Sequence, residues 1–335
     1  MSARGWVLFA LMSVIWGIPY LLIKVAVEDV SAPVVVFART AVGAALLLPL
    51  ALRAARGGGA AVLWRHRRPL LAFAVLEIMG PWWLLSDAER RLPSSTTGLL
   101  VAAVPVLGVL IARLAGDRER LGAGRWTGLV LGLAGVAVLA GPELGGGDAW
   151  SVTEVLLTAL GYAVAPLIAA RRLHDVPVLP MTCACLALAA LAYAPLAVAT
   201  RPAALPSAQV LAALAGLGAV CTAAGFVVFF ALIREAGPSR AMVFTYVNPA
   251  VAVAAGALVL DEPLTATVLA AFALILLGSV LATARGGPDV PAGPDAPVPA
   301  GSMGGTADES CGRSRRDPGR EPAEERPGST GQGGG

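Results

Sequence analysis

The chain has 335 residues, 57% of them hydrophobic and only 14% charged, against about 25% charged in an average soluble domain. So little charge cannot build a water-facing surface, and the net charge of +3 gives no indication of a nucleic-acid partner. The bilayer is therefore the expected solvent.

A hydrocarbon core about 30 Å thick takes about 20 mostly apolar residues per helix, and such runs recur until Ala284. The first, 6–27, is too long for a signal-peptide core and lacks a small-residue cleavage site, so it is expected to span. It carries Trp16, Pro19, Tyr20 and Lys24. Lys24, the one lysine in the chain, stands near the outer end beside Glu28 and Asp29. It either snorkels to the interface or charges a cavity.

The second run, 33–52, holds Arg39, and the third, 70–86, holds Glu77 in LLAFAVLEIMGPWWLLS, followed by Trp82 and Trp83. An ionisable group at the bilayer centre costs at least about 2.5 kcal/mol and faces a cavity or a partner. Glu77 is accordingly the first candidate for a functional residue. Arg39 is its candidate partner, because the two depths differ by only a few Å at about 1.5 Å per residue. A structural ion pair and a substrate- or proton-linked role are equally open.

The fourth run, 95–112, contains Pro105, and the fifth, 126–143, is entered through Gly124, Gly128 and Gly132. That small-residue face packs within the bundle or across a homodimer. The sixth run, 152–170, carries Tyr162 and Pro166; the seventh and eighth, 177–199 and 210–233, carry Cys183, Cys185 and Cys221. Tyr246, Asn248 and Pro249 open the ninth, 241–260, and the tenth is 264–284. Asn248 can donate to carbonyls freed by Pro249 or to a substrate. Pro19, Pro105, Pro166 and Pro249 remove backbone hydrogen bonds and are the hinge candidates. Trp16, Tyr20 and Trp82 stack on a ligand or anchor helices at the interface. Glu119 and Glu262, with Pro263, are expected to offset the N-terminus of the helix after each.

Four cysteines without a CxxC, and His66 and His174 in loops beside arginines, predict no metal site and no cofactor. With the N-terminus cytoplasmic, thirteen loop arginines fall inside and three, Arg90, Arg91 and Arg201, outside. From Gly286 the composition turns to Pro, Gly and mixed charge, which predicts a disordered cytoplasmic tail over 286–335.

The halves 6–143 and 150–284 match each other. TTGLLVAAVPVLGVLIARLAGDRERL recurs as SRAMVFTYVNPAVAVAAGALVLDEPL, setting Pro105 against Pro249 and Glu119 against Glu262. Pro19 and Pro33 answer Pro166 and Pro180, and Gly135 answers Gly278. Five spans per repeat is an odd number, so the second half crosses the membrane in the opposite sense. The expected fold is all-α and polytopic, with ten transmembrane helices in two inverted five-helix repeats.

On VPVLGVLIARLAGDRERL with GLVLGLAG, and NPAVAVAAGALVLDEPL with ALILLGS, the chain resembles the ten-helix EamA-type members of the drug/metabolite transporter superfamily. The resemblance implies two EamA repeats and an alternating-access carrier with a central cavity in the cell membrane. It further implies export of amino acids, metabolites or drugs, often proton-coupled. Glu77 aligns with Cys221, and Asn248 with Val104, so the cavity chemistry is expected to be lopsided. An embedded enzyme would need a cluster of acid–base or metal-binding groups that the spans do not show. A receptor or scaffold would have no use for an inverted repeat.

Overall fold

The computed structural model describes residues 2–55, 59–114, 122–146 and 148–283. Arg56, Arg118, Glu119, Arg120 and the tail expected over 286–335 lie outside the described residues. Among those described there is no strand, and ten helices are long and apolar enough to cross a membrane. They are α1 (Ala3–Ala26), α2 (Ala32–Ala54), α3 (Arg67–Ala88), α4 (Ser94–Ile111) and α5 (Ala123–Gly141) in the first half. The second half has α6 (Ala149–Arg172), α7 (Val178–Ala199), α8 (Ala208–Ala236), α9 (Met242–Val259) and α10 (Ala266–Thr283).

Every main packing contact joins the two halves. Helix α2 lies along α7, α5 along α10 and α4 along α9, while α1 packs on α8 and α3 on α6. Exchanging each helix for its equivalent five places on turns the α1–α8 contact into the α6–α3 contact and leaves the other three unchanged. That is the pairing a pseudo-two-fold axis in the membrane plane requires. The end carrying residues 3, 54, 67 and 283 is termed the terminal end, and the end carrying residues 27–31, 89–93 and 260–265 the far end.

Helices α5 and α10 approach closely because neither presents side chains at the crossing. A Cβ added to Gly278 would collide with the Gly132 backbone, and one on Gly128 with the Ala282 backbone. The small-residue face is thus filled from inside the chain by α10 at Gly128 and Gly132. Gly124 alone meets nothing within 4 Å.

Five helices are interrupted. Helix α1 unwinds at Trp16–Ile18, ahead of Pro19, and α4 at residues 102–103, ahead of Pro105. Helix α9 begins with a 3₁₀ turn, Met242–Tyr246, ahead of Pro249. Helices α3 and α8 each widen into a π-helical stretch, Val75–Met79 and Gly216–Ala224. In α3 the cause is Pro81, which offers no N–H and crowds the preceding turn. In α8 the hydroxyl of Thr222 enters the ladder and donates to the Leu217 carbonyl at 2.8 Å. Helix α6, by contrast, runs unbroken through Pro166.

Candidate functional site

Arg39 on α2 is only 7% exposed, and its contacts come from both halves. Its Nε donates to Thr222 Oγ1 of α8 at 3.0 Å, and its guanidinium carbon lies 3.7 Å over the Trp82 ring of α3. Thr222 can accept because its own proton is committed to Leu217. A cation over a desolvated indole contributes up to about 2 kcal/mol. The polar contact to α8 therefore depends on the π stretch that frees the Leu217 carbonyl.

Glu77 lies in the other π stretch, and it makes no ion pair with Arg39. Its Oε2 is buried without a hydrogen-bond partner among the described residues. The reason is helical phase: one extra residue in the turn rotates the remainder of the helix by about 100°, and Trp82 comes beneath the guanidinium instead. Tyr162 of α6 lies within electrostatic reach of both Glu77 and Arg39, and Tyr20 of α1 within reach of Tyr162 and Arg39. Arg39, Trp82, Tyr20, Tyr162 and Glu77 thus form one polar and aromatic core between the halves.

Each π stretch is held by the opposite half. Tyr193 of α7 donates its hydroxyl to the Met79 carbonyl at 2.9 Å, and a Cβ on Gly161 of α6 would stand 2.5 Å from the Leu76 carbonyl. Reciprocally, Trp16 of α1 donates Nε1 to the Cys221 carbonyl at 3.1 Å. The Trp16 ring packs against Phe226, Phe229 and Phe244, which closes the core toward the terminal end.

Asn248 joins two interruptions. With its amide oriented to satisfy both, Nδ2 donates to the carbonyls of Ser13 and Phe244, each 3.1 Å away. These carbonyls belong to the turns ahead of the α1 and α9 breaks. Tyr246 stands apart from the core, its hydroxyl bonded to that of Thr283. A groove of about 470 Å³ lined by Pro33, Met79, Trp83, Ala192, Tyr193 and Leu196 shares no residue with the core.

Lys24 extends toward the far end, where its Nζ donates to the carbonyls of Glu89 at 2.7 Å and Leu92 at 2.9 Å, ending α3. One residue departs from expectation. Glu262 does not serve the next helix, which starts only at Ala266 after an extended stretch containing Pro263. Its carboxylate accepts instead from the Ser94 N–H at 2.6 Å and the Ser95 N–H at 2.9 Å, at the start of α4 in the other half. Burial opposes its charge, but the Ser95 and Ser94 hydrogen bonds outweigh burial and hold the carboxyl below the usual carboxylate range. That is the expected use of a carboxylate at a helix N-terminus, across a subdomain boundary.

Glu89 escaped the sequence because its apolar run ends at Leu85 and DAERR looks like a loop. It is 0% exposed, and neither carboxyl oxygen has a side-chain donor among the described residues. No group of three or more His, Cys, Asp or Glu that could hold a metal occurs among the described residues.

Inverted halves and interrupted helices meeting around a buried polar core define the class of polytopic membrane transporters built on inverted repeats. Residues 3–141 and 149–284 each match the EamA-like transporter family, and the chain belongs to it. It is 30% identical over 283 residues to the uncharacterized inner membrane transporter YedA of Escherichia coli (strain K12), covering 82% of this chain and 89% of that one. It is 27% identical to the uncharacterized transporter YvbV of Bacillus subtilis (strain 168), covering 85% and 93%. A solved crystal structure at 20% identity shares the fold, with a TM-score of 0.60 over 84% of this chain and 98% of that one.

Proposed function

We propose that this transporter exports small metabolites, amino acids or drugs by alternating access, with protons as the coupling ion. The single observation that carries the reading is Arg39. It is a permanent cation held between the halves by one contact from each, Thr222 and Trp82, so relative movement of the halves must remake its contacts. A solute with an acidic group can replace Thr222 on the guanidinium, and Trp82, Tyr20 and Tyr162 offer aromatic faces beside it. The relative YedA is named an inner membrane transporter, and the arginine-rich loops favour that membrane with both termini cytoplasmic. The residues around Arg39 bind and orient; none has the base or nucleophile arrangement of an enzyme.

The test compares metabolites of cells with and without the protein, then measures flux of the solute that changes in proteoliposomes. Arg39→Gln lowers flux by about tenfold or more, the scale of one charged hydrogen bond, while Glu77→Gln alters its dependence on a pH gradient. Saturable binding without flux in wild-type protein would overturn the reading in favour of a receptor.

A further inference from the structure

A carboxyl group shut away from water and offered few donors is costly to keep ionised. Glu89 is in that position, fully buried at the end of α3, with no side-chain donor to either oxygen among the described residues and only the Lys24 backbone in reach. The charged and titratable groups facing it are Lys24 and Tyr20 from α1, Arg39 from α2, and Glu262 from the α9–α10 loop. Lys24 is the natural counter-ion, yet its ammonium is occupied by the backbone carbonyls of Glu89 and Leu92. Burial pushes the Glu89 carboxyl well above the usual carboxylate range, and the attraction of Lys24 does not restore it.

Five residues along, the backbone of Ser94 and Ser95 receives the Glu262 carboxylate. Glu89 therefore sits directly behind the contact that fastens the far end. Ser94 Oγ is buried there as well, beside the Glu262 carboxylate.

We infer that Glu89 is a proton-binding site tied to the far end, holding its proton while Glu262 clamps α4 and releasing it to water when the clamp lets go. Opening admits water to the carboxyl and frees Lys24 from the two carbonyls, and both stabilise the carboxylate. Closing reverses this and the proton is bound again, so the pH on the far side sets how readily that end opens. Any bearing of this on flux rests on the transporter reading; the titrating site does not.

The experiment needs no substrate. In full-length protein with Cys311→Ser, a Ser94→Cys reporter places a thiol where the side chain is buried at the clamp. Its alkylation by a membrane-impermeant maleimide in proteoliposomes reports opening of the far end. Rates are divided by those of a Leu205→Cys reporter, which is 88% exposed, to remove the intrinsic pH dependence of thiols. The ratio rises with pH by up to about tenfold per unit, the limit for one proton. Glu89→Gln makes it low and flat, and Glu89→Asp restores the rise, which a purely structural role would not. A rise that persists in Glu89→Gln, or a flat response in the otherwise wild-type reporter, overturns the site. Normal pH-dependent access in a protein that carries no flux would leave the site standing and remove the transport reading instead.

Discussion

Arg39 and Glu77 are the two charges nearest the middle of their helices, and the energetics of each are set by the groups that touch it. Because Arg39 bonds Thr222 and covers Trp82 while Glu77 makes no ion pair with it, Arg39→Gln and Glu77→Gln should act independently. In equilibrium unfolding from mixed micelles their coupling energy is expected below about 0.5 kcal/mol, whereas Arg39→Gln with Trp82→Leu should couple by about 0.5–2 kcal/mol. A large Arg39–Glu77 coupling would restore the ion pair suggested by their similar depth. Glu262 and Glu89 bear opposite pH signatures. The folded-state carboxyl of Glu262 titrates below its unfolded value, so its contribution is present above about pH 4 and lost as pH falls through the folded value. The carboxyl of Glu89 titrates well above its unfolded value, so its contribution is complete in acid and lost as pH rises. Unfolding followed at several pH values should therefore lose its acid limb in Glu262→Gln and its alkaline limb in Glu89→Gln.

At the scale of helices, the legible features were those that lipid enforces. Ten apolar runs became ten helices with ends within three residues of expectation, because a continuous apolar run about 20 residues long satisfies its own backbone in hydrocarbon as a helix. Breaks at Pro19, Pro105 and Pro249 were foreseeable from the missing N–H, yet Pro166 has the same missing N–H and leaves α6 continuous. The difference lies in the neighbours: Asn248 bonds carbonyls at the α1 and α9 interruptions and Ser279 donates to the Ala102 carbonyl at the α4 interruption, while the exposed Pro166 has no such support among the described residues. The π stretches were invisible, since Thr222 opens the α8 ladder by a hydrogen bond that composition does not announce. With them went the phase of α3 and hence the partner of Arg39. The tertiary use of Glu262 and the burial of Glu89 were hidden for the same reason, as both depend on which loop covers which helix end. Glycine contacts give a direct test of the helix packing. Gly161→Ala drives a methyl against the Leu76 carbonyl, and Gly278→Ala drives one into the Gly132 backbone. Each should cost about 1–3 kcal/mol or more by overpacking, read as a lowered unfolding midpoint in detergent. Gly124→Ala, with nothing within 4 Å, should be neutral or slightly stabilising, since alanine is the better helix former.

Across the whole molecule, each end is fastened by contacts between the halves. At the far end the Glu262 clamp is joined by Asp29, which accepts from the Ser207 N–H at 2.9 Å, and by Ser31 and Thr200, whose hydroxyls are 2.7 Å apart. Arg91 adds Ser151 at 2.6 Å and Glu154 at 3.2 Å. At the terminal end Ser2 bonds Glu235, and His66 meets Asp175 at 3.3 Å. Inverted halves have two related arrangements, one opening each end, and a carrier must visit both. Surface contacts of this kind contribute little individually, about 0–1 kcal/mol for an exposed ion pair, so either end can open thermally. A covalent bond removes that freedom. Ser31→Cys with Thr200→Cys places two thiols where the hydroxyls now touch, within the reach a disulfide needs. Oxidation of this pair is expected to abolish flux and dithiothreitol to restore it. Binding of solute from the terminal side should survive oxidation, because the Arg39 core is closed on that side by Trp16 and its aromatic neighbours rather than by α2 and α7. Flux that continues undiminished through the oxidised protein would mean that the halves do not separate at the far end, and with that the alternating cycle would fail.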